Sequence, residues 1–184
     1  MPPLTIPFEG QPHARSAHVA RFEEEISLLF DAWRNGLLRY LLSSGLSLED
    51  GEEVVQEVFL ALFQHVVDRK PRHNLRGWVF RVAHNLGLKR RIAANRRMEV
   101  SIHFDADVHA DSALNPEQQA AAAQRQTRLE SLVRVLPEQD RCCLALRAEG
   151  LRYREIAEIL GISLGSVAGS LARSLRRIAR ADKG

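Results

Sequence analysis

Apolar residues recur along this chain at steps of three and four, and strand-like alternation of useful length is missing. Between Val19 and Leu42, the residues Phe22, Ile26, Leu29, Trp33, Leu37 and Tyr40 line one stripe, which predicts a long amphipathic helix. Ser43-Ser44-Gly45 ends it. Ser47 or Asp50 then caps a second helix to about Val67, with Val54, Val55, Val58, Phe59 and Leu62 facing inward. Pro71 breaks the polar stretch 68–74, and Asn74 caps a third helix reaching about Asn95. Helix is predicted again from Glu117 to Leu136, from Pro137 to about Glu149, and in two shorter pieces, Tyr153–Leu160 and Ser163–Arg180. The pattern predicts an all-α fold of two small helical domains, 19–97 and 128–184. A flexible acidic linker, 98–127, joins them, and a loose proline-rich leader, 1–18, precedes them.

Within the second domain the strongest local pattern lies between Arg152 and Val167. Ala157 is small where two helices cross, Gly161 supplies a left-handed turn residue, and Ser163 caps the next helix. Ile156, Ile159, Leu160, Ile162, Val167, Leu171 and Leu175 then bury the inner faces. This is helix-turn-helix spacing, whose second helix enters a DNA major groove. Arg173, Arg176, Arg177 and Arg180 crowd the end of that helix, within reach of phosphates. An ordinary helical hairpin would not need them.

Charge changes the picture only when it is divided along the chain. The net charge is +3, but residues 71–98 hold eight basic and no acidic side chains, and residues 141–184 are also net basic. Residues 21–70 and 99–140 are each net −5. Two separate basic blocks predict two contact sites on a polyanion, with the acidic segments kept for a protein partner.

On the third helix, Trp78, Val79, Val82, Ala83 and Leu86 share a core face. Arg81, His84, Leu88 and Arg91 fall on the opposite face, with Asn85 at its edge. A solvated helix normally interleaves its charges, so a cationic face without acids predicts a nucleic-acid surface. Phe80 lies off the core face, where it either stacks on an unpaired base or makes a second buried contact. The second helix carries Glu53, Gln56, Glu57, Leu60 and Gln64 on one polar stripe. Early acids there complement the helix dipole, and the stripe also suits a protein partner, since it would repel DNA.

Other chemistry finds no foothold. There is no phosphate-binding glycine loop, nucleophile elbow or His-Glu-x-x-His pattern. His103 to His109 superficially resembles a metal-ligand cluster but lacks a scaffold to fix its geometry, so no metal or other cofactor is expected. Adjacent Cys142 and Cys143 cannot form an ordinary disulfide and read as core thiols, in keeping with a reduced cytoplasm. No apolar run reaches membrane-spanning length, and the N-terminal residues do not resemble a secretory signal.

Three stretches together resemble the extracytoplasmic-function (ECF) sigma factors of bacterial RNA polymerase. Asp50 to Phe63 is similar to the family's core-binding helix, Leu75 to Leu86 to its promoter-melting helix, and Leu136 to Val167 to its helix-turn-helix domain. The resemblance implies a non-enzymatic, cytoplasmic subunit that binds core RNA polymerase and promoter DNA and is held by an anti-sigma factor. It implies core contacts at Glu53, Gln56, Glu57 and Leu60. It implies −10 contacts at Arg72, Asn74, Arg76, Phe80, Arg81, His84, Asn85 and Arg91, and −35 contacts at Ser163, Ser166, Arg173, Arg176 and Arg177. One stretch departs from the pattern. After Val167 the family usually carries a Lys-Ser-Arg-like triplet, and here Ala168, Gly169 and Ser170 stand instead. Two cations are missing from the expected recognition helix, and Gly169 costs about 1 kcal/mol of helix stability relative to alanine. A classical helix-turn-helix regulator, or a sigma-like protein that binds polymerase without initiating, would share parts of this pattern.

Overall fold

The computed structural model describes residues 12–97 and 131–181, with side chains described over 24–94 and 131–180. Among the described residues every regular element is helical: α1 (Pro12–Ser43), α2 (Leu48–Val67), α3 (Leu75–Arg97), α4 (Glu138–Ala148), α5 (Tyr153–Leu160) and α6 (Leu164–Ala181). Residues 131–134 are also helical. The expected linker, its His103–His109 cluster and most of the helix expected from Glu117 lie outside the described residues. Helix α1 starts at Pro12, so the leader expected over 1–18 extends too far. A proline in a helix's first turn has no hydrogen bond to lose and is tolerated there.

Local chemistry sets the boundaries. Ser47 caps α2, its Oγ accepting the Asp50 N–H at 3.1 Å, while its hydroxyl donates to the Asp50 carboxylate. Asn74 caps α3 through Oδ1, which accepts the Gly77 N–H at 3.1 Å. Between them, His65 Nε2–H donates to the Pro71 carbonyl at 2.9 Å and the His65 ring lies 4.4 Å from that of Trp78, which anchors the loop. Gly161 closes α5 at φ 65°, a left-handed turn that glycine enters without strain, and Ser163 Oγ caps α6 by accepting the Ser166 N–H.

The first module packs α2 between α1 and α3. Leu37, Tyr40, Leu41, Val54, Val58, Leu62, Val66, Val79 and Ala83 are fully buried there. The second module closes Cys143, Leu146, Leu151, Ile156, Val167 and Leu171 between α4, α5 and α6. These side chains form one contiguous apolar cluster, because α4 packs on α1 and α5 packs on α3.

The inner face of α6 differs from the expected one. Leu175 is 59% exposed, whereas Ser170 and Ser174 are fully buried. The face turned toward α4 runs through 167, 170, 171 and 174, and α4 meets it with polar groups. Gln139 Nε2 donates to Ser170 Oγ, and Ser174 Oγ donates to the Ser170 carbonyl. Two hydroxyls are tolerated in this seam because each has a partner.

Candidate nucleic-acid interface

The polar stripe of α2 is laid out in the open. Glu53, Gln56, Glu57 and Leu60 are all exposed, Leu60 at 70%. Gln56 also lines a shallow groove of about 230 Å³ between α1 and α2, with Phe30, Arg34, Leu38, Glu52 and Val55. Pattern reading missed the counter-charge of this stripe. Arg90 of α3 reaches across to Glu53 and Glu57, with Asp50 3.5 Å away. Periodicity within one helix cannot reveal a cation supplied by another.

Helix α3 distributes its candidate DNA contacts unevenly. Asn85 is exposed, as are Asn74 and Arg72 in the loop. Arg72 Nη1 lies 3.0 Å from both carboxylate oxygens of Glu25 on α1. Phe80 is a correction: it is 0% exposed and meets Tyr40 edge-on, ring centroids 6.0 Å apart, so it is a core residue with no face for a base. His84 is partly buried beside it, and its Nδ1 lies 2.7 Å from the Tyr40 hydroxyl. Burial, and then the Arg91 guanidinium, hold His84 below the usual imidazole range, and its ring shares a hydrogen bond with the Tyr40 hydroxyl.

Three candidate cations of α3, Arg76, Arg81 and Arg91, point at the second module. Arg81 Nη2 lies 2.7 Å from Glu158 Oε2 on α5. Arg91 holds Glu138 at the start of α4 through both oxygens and donates to the Ser44 carbonyl at 2.8 Å. Arg76 Nη2 lies 3.7 Å from Glu149, which also accepts from Arg39 Nε and Nη2 at 3.1 and 2.7 Å. These pairs join residues far apart in sequence and leave no local signal.

On the second module, Ser163 and Arg176 and Arg177 of the α6 face are exposed, and Ser166 is partly so. Arg173 is exposed but already engaged. Its Nη2 and Nε bond both oxygens of buried Asp140, at 2.7 and 3.2 Å, and Nη2 also reaches Ser170 Oγ. The guanidinium of Arg173 holds the Asp140 carboxyl below its ordinary range. Asp140 carries a buried charge that requires this partner, so Arg173 is first a strut between α4 and α6. Ser170 is likewise turned inward, so a cation at 170 would not reach the surface of α6, whereas Ala168 is exposed. Among the described residues no group of His, Cys, Asp and Glu is arranged to hold a metal ion.

Two helical modules, one with a cationic helix beside an exposed asparagine and one with a helix-turn-helix, define a DNA-binding protein of the transcription machinery. Comparison with known proteins specifies which. Residues 29–97 match the family model described as Sigma-70 region 2, and residues 126–178 match Sigma-70, region 4. The chain is 30% identical over 146 residues to RNA polymerase sigma factor CnrH of Cupriavidus metallidurans, covering 74% of this chain and 75% of that one. It is 25% identical to the ECF RNA polymerase sigma-E factor of Haemophilus influenzae, over 92% of this chain and 88% of the relative. Its fold is similar to that of Bartonella quintana RpoE, solved in complex with the anti-sigma factor NepR: TM-score 0.68, 20% identity, covering 89% of this chain and 97% of that one. The chain belongs to the ECF sigma factors, and it is an alternative sigma factor that directs transcription initiation.

Proposed function

We propose that the labour of initiation is divided among the elements as the charges are. The exposed α2 stripe of Glu53, Gln56, Glu57 and Leu60 docks on core RNA polymerase. Asn85, the loop 68–74 with Arg72 and Asn74, and the cations Arg76, Arg81 and Arg91 of α3 take the melted −10 strand, with His84 supporting that face from behind. An amide such as Asn85 pairs with a base edge through two hydrogen bonds, and an unpaired base is readable only in such a setting. Helix α6 reads the −35 duplex from Ser163 and Ser166, with Arg176 and Arg177 on phosphates. The observation that carries this reading is that the acidic α2 stripe and Asn85 of the basic, acid-free α3 are both exposed, with Arg90 joining the two helices.

The chain has no catalytic role of its own in this reading and works in the cytoplasm. No single helix among the described residues is long and apolar enough to cross a membrane. RpoE of B. quintana is held by an anti-sigma factor, and we infer a protein inhibitor of that kind here. Multi-round transcription with core polymerase tests the whole reading. Promoter-dependent transcript together with core binding is the expected result. Core binding without transcript would identify a polymerase-binding decoy, and no core binding would identify an ordinary DNA-binding regulator.

A further inference from the structure

The leading end of α6 is chemically bare. From Leu164 to Ala172 it holds no cation and no amide side chain, and Leu164, Gly165, Ala168 and Ala172 are its exposed positions. Residues four apart share a helix face, so Leu164, Ala168 and Ala172 form one outward line. The exposed cations come later, with Arg176 about 18 Å along the axis from Leu164. Nor does the fold require this surface. Ile162 and Val167 already turn into the core around the start of the helix, while Leu164 is left 49% exposed. A Cβ built on Gly165 would meet Ser163 Oγ at an ordinary 3.9 Å, so the chain's own packing does not demand a glycine there. Polar groups at this end discriminate little. The Ser163 and Ser166 hydroxyls lie 2.9 Å apart, and Ser163 Oγ also accepts the Ser166 N–H. A hydroxyl both donates and accepts, so it suits every base edge about equally. Guanine is most often read by arginine or lysine, and the first arginine of α6, Arg173, is held by Asp140.

We propose that α6 reads thymine: the Leu164 side chain packs on a C5-methyl group in the major groove, and bare Gly165 and Ala168 let the helix backbone settle close to the base edges. Thymine reading rests on α6 being the −35 helix and sharpens that assignment. Residues at the start of a recognition helix meet base edges, and of the four bases only thymine offers a methyl group there. Burying one methyl group against leucine is worth about fourfold in affinity. The arginines at the far end contact phosphates, which position the helix without adding sequence information. The preference of this chain at −35 is set by thymine methyls and not by guanine.

Deoxyuridine pairs as thymidine does and lacks only that methyl group, so exchanging the two subtracts a single contact. Holoenzyme assembled from core polymerase and the full-length chain first selects bound duplexes from a fully randomised library. Competition binding then compares a selected duplex with copies carrying deoxyuridine for thymidine, one position at a time. In the upstream element, at least one exchange is expected to weaken binding about fourfold. Leu164→Ala changes an exposed side chain, so the fold should stand, as circular dichroism will show. It should weaken the thymidine duplex by a similar factor and bind both duplexes equally, because the two changes remove the same contact. Leu175→Ala, the same kind of truncation at an exposed leucine three turns further on, should keep the full difference between the duplexes. Deoxyuridine without effect throughout the upstream element, or a thymidine preference that survives Leu164→Ala, overturns thymine reading. Failure of the underlying assignment looks different. Selection that enriches no upstream element, with binding unchanged by Arg176→Gln/Arg177→Gln, overturns α6 as the −35 helix and thymine reading with it.

Discussion

Replacing Phe80 with alanine decides between a core ring and a base-stacking ring. The side chain is fully buried and edge-on to Tyr40, itself fully buried. Truncating such a ring removes its transfer free energy and leaves a cavity, together about 3–5 kcal/mol. Part of that, about 0.5–1.5 kcal/mol, belongs to the aromatic pair. A chain of this size holds about 5–15 kcal/mol in all, so the loss is large. With a urea slope of about 2 kcal/mol/M, the midpoint of the first module should fall by about 2 M. Phe80→Leu keeps most of the volume and should cost about 1.5 kcal/mol or less. Urea titrations followed by far-ultraviolet circular dichroism give both numbers. An unchanged midpoint for Phe80→Ala, with weakened binding of single-stranded DNA, would refute the placement of this ring and return it to the DNA face.

Other substitutions separate surfaces in the same way. Glu57→Lys should weaken core polymerase binding several-fold in a pull-down without changing the circular dichroism, because Glu57 is exposed on the α2 stripe. Asn85→Ala should leave core binding intact and reduce open-complex formation, measured by permanganate reactivity of the melted bubble. Ala168→Lys should steepen the dependence of duplex binding on salt by about 0.9, one phosphate's worth, while Ser170→Arg should destabilise the second module by several kcal/mol, because it forces a charge into a closed seam. The lowered Asp140 carboxyl makes its stabilisation complete above the unfolded value of about 3.9 and lost as pH falls through the folded value. Asp140→Asn should flatten that acid-side slope in a thermal melt.

Most helix boundaries were legible because capping and breaking are local. Ser47, Asn74, Gly161 and Ser163 each act within four residues, and each stands where the spacing of polar and turn residues put it. The fate of Phe80 and Leu175 was not legible, for a common reason. Periodicity assigns a face relative to one helix axis, but burial is decided by whichever helix arrives from elsewhere. Tyr40 of α1 covers Phe80, while α4 meets α6 through Ser170 and Ser174 and leaves Leu175 outside. The basic block of α3 was plain in the sequence as charge. That its members would face Glu138, Glu149 and Glu158 was not, since ion pairs between distant segments have no spacing rule.

The adjacent cysteines of α4 give the chain two independent clocks. Cys142 is 3% exposed and lies by Tyr40 of the other module, and burial pushes its thiol up to about 11. Cys143, one residue on, is turned about 100° around the helix into the second module's own interior, near Asp140 and Ser170. Burial keeps Cys142 in its thiol form at neutral pH and away from reagent, so alkylation waits for the protein to move. Parting of the modules frees the first sulfur, whereas the second reacts only when α4 leaves α6. Mass spectrometry of a timed alkylation would show the two modifications arriving at separate rates, and the ratio of those rates measures how often the molecule opens without unfolding.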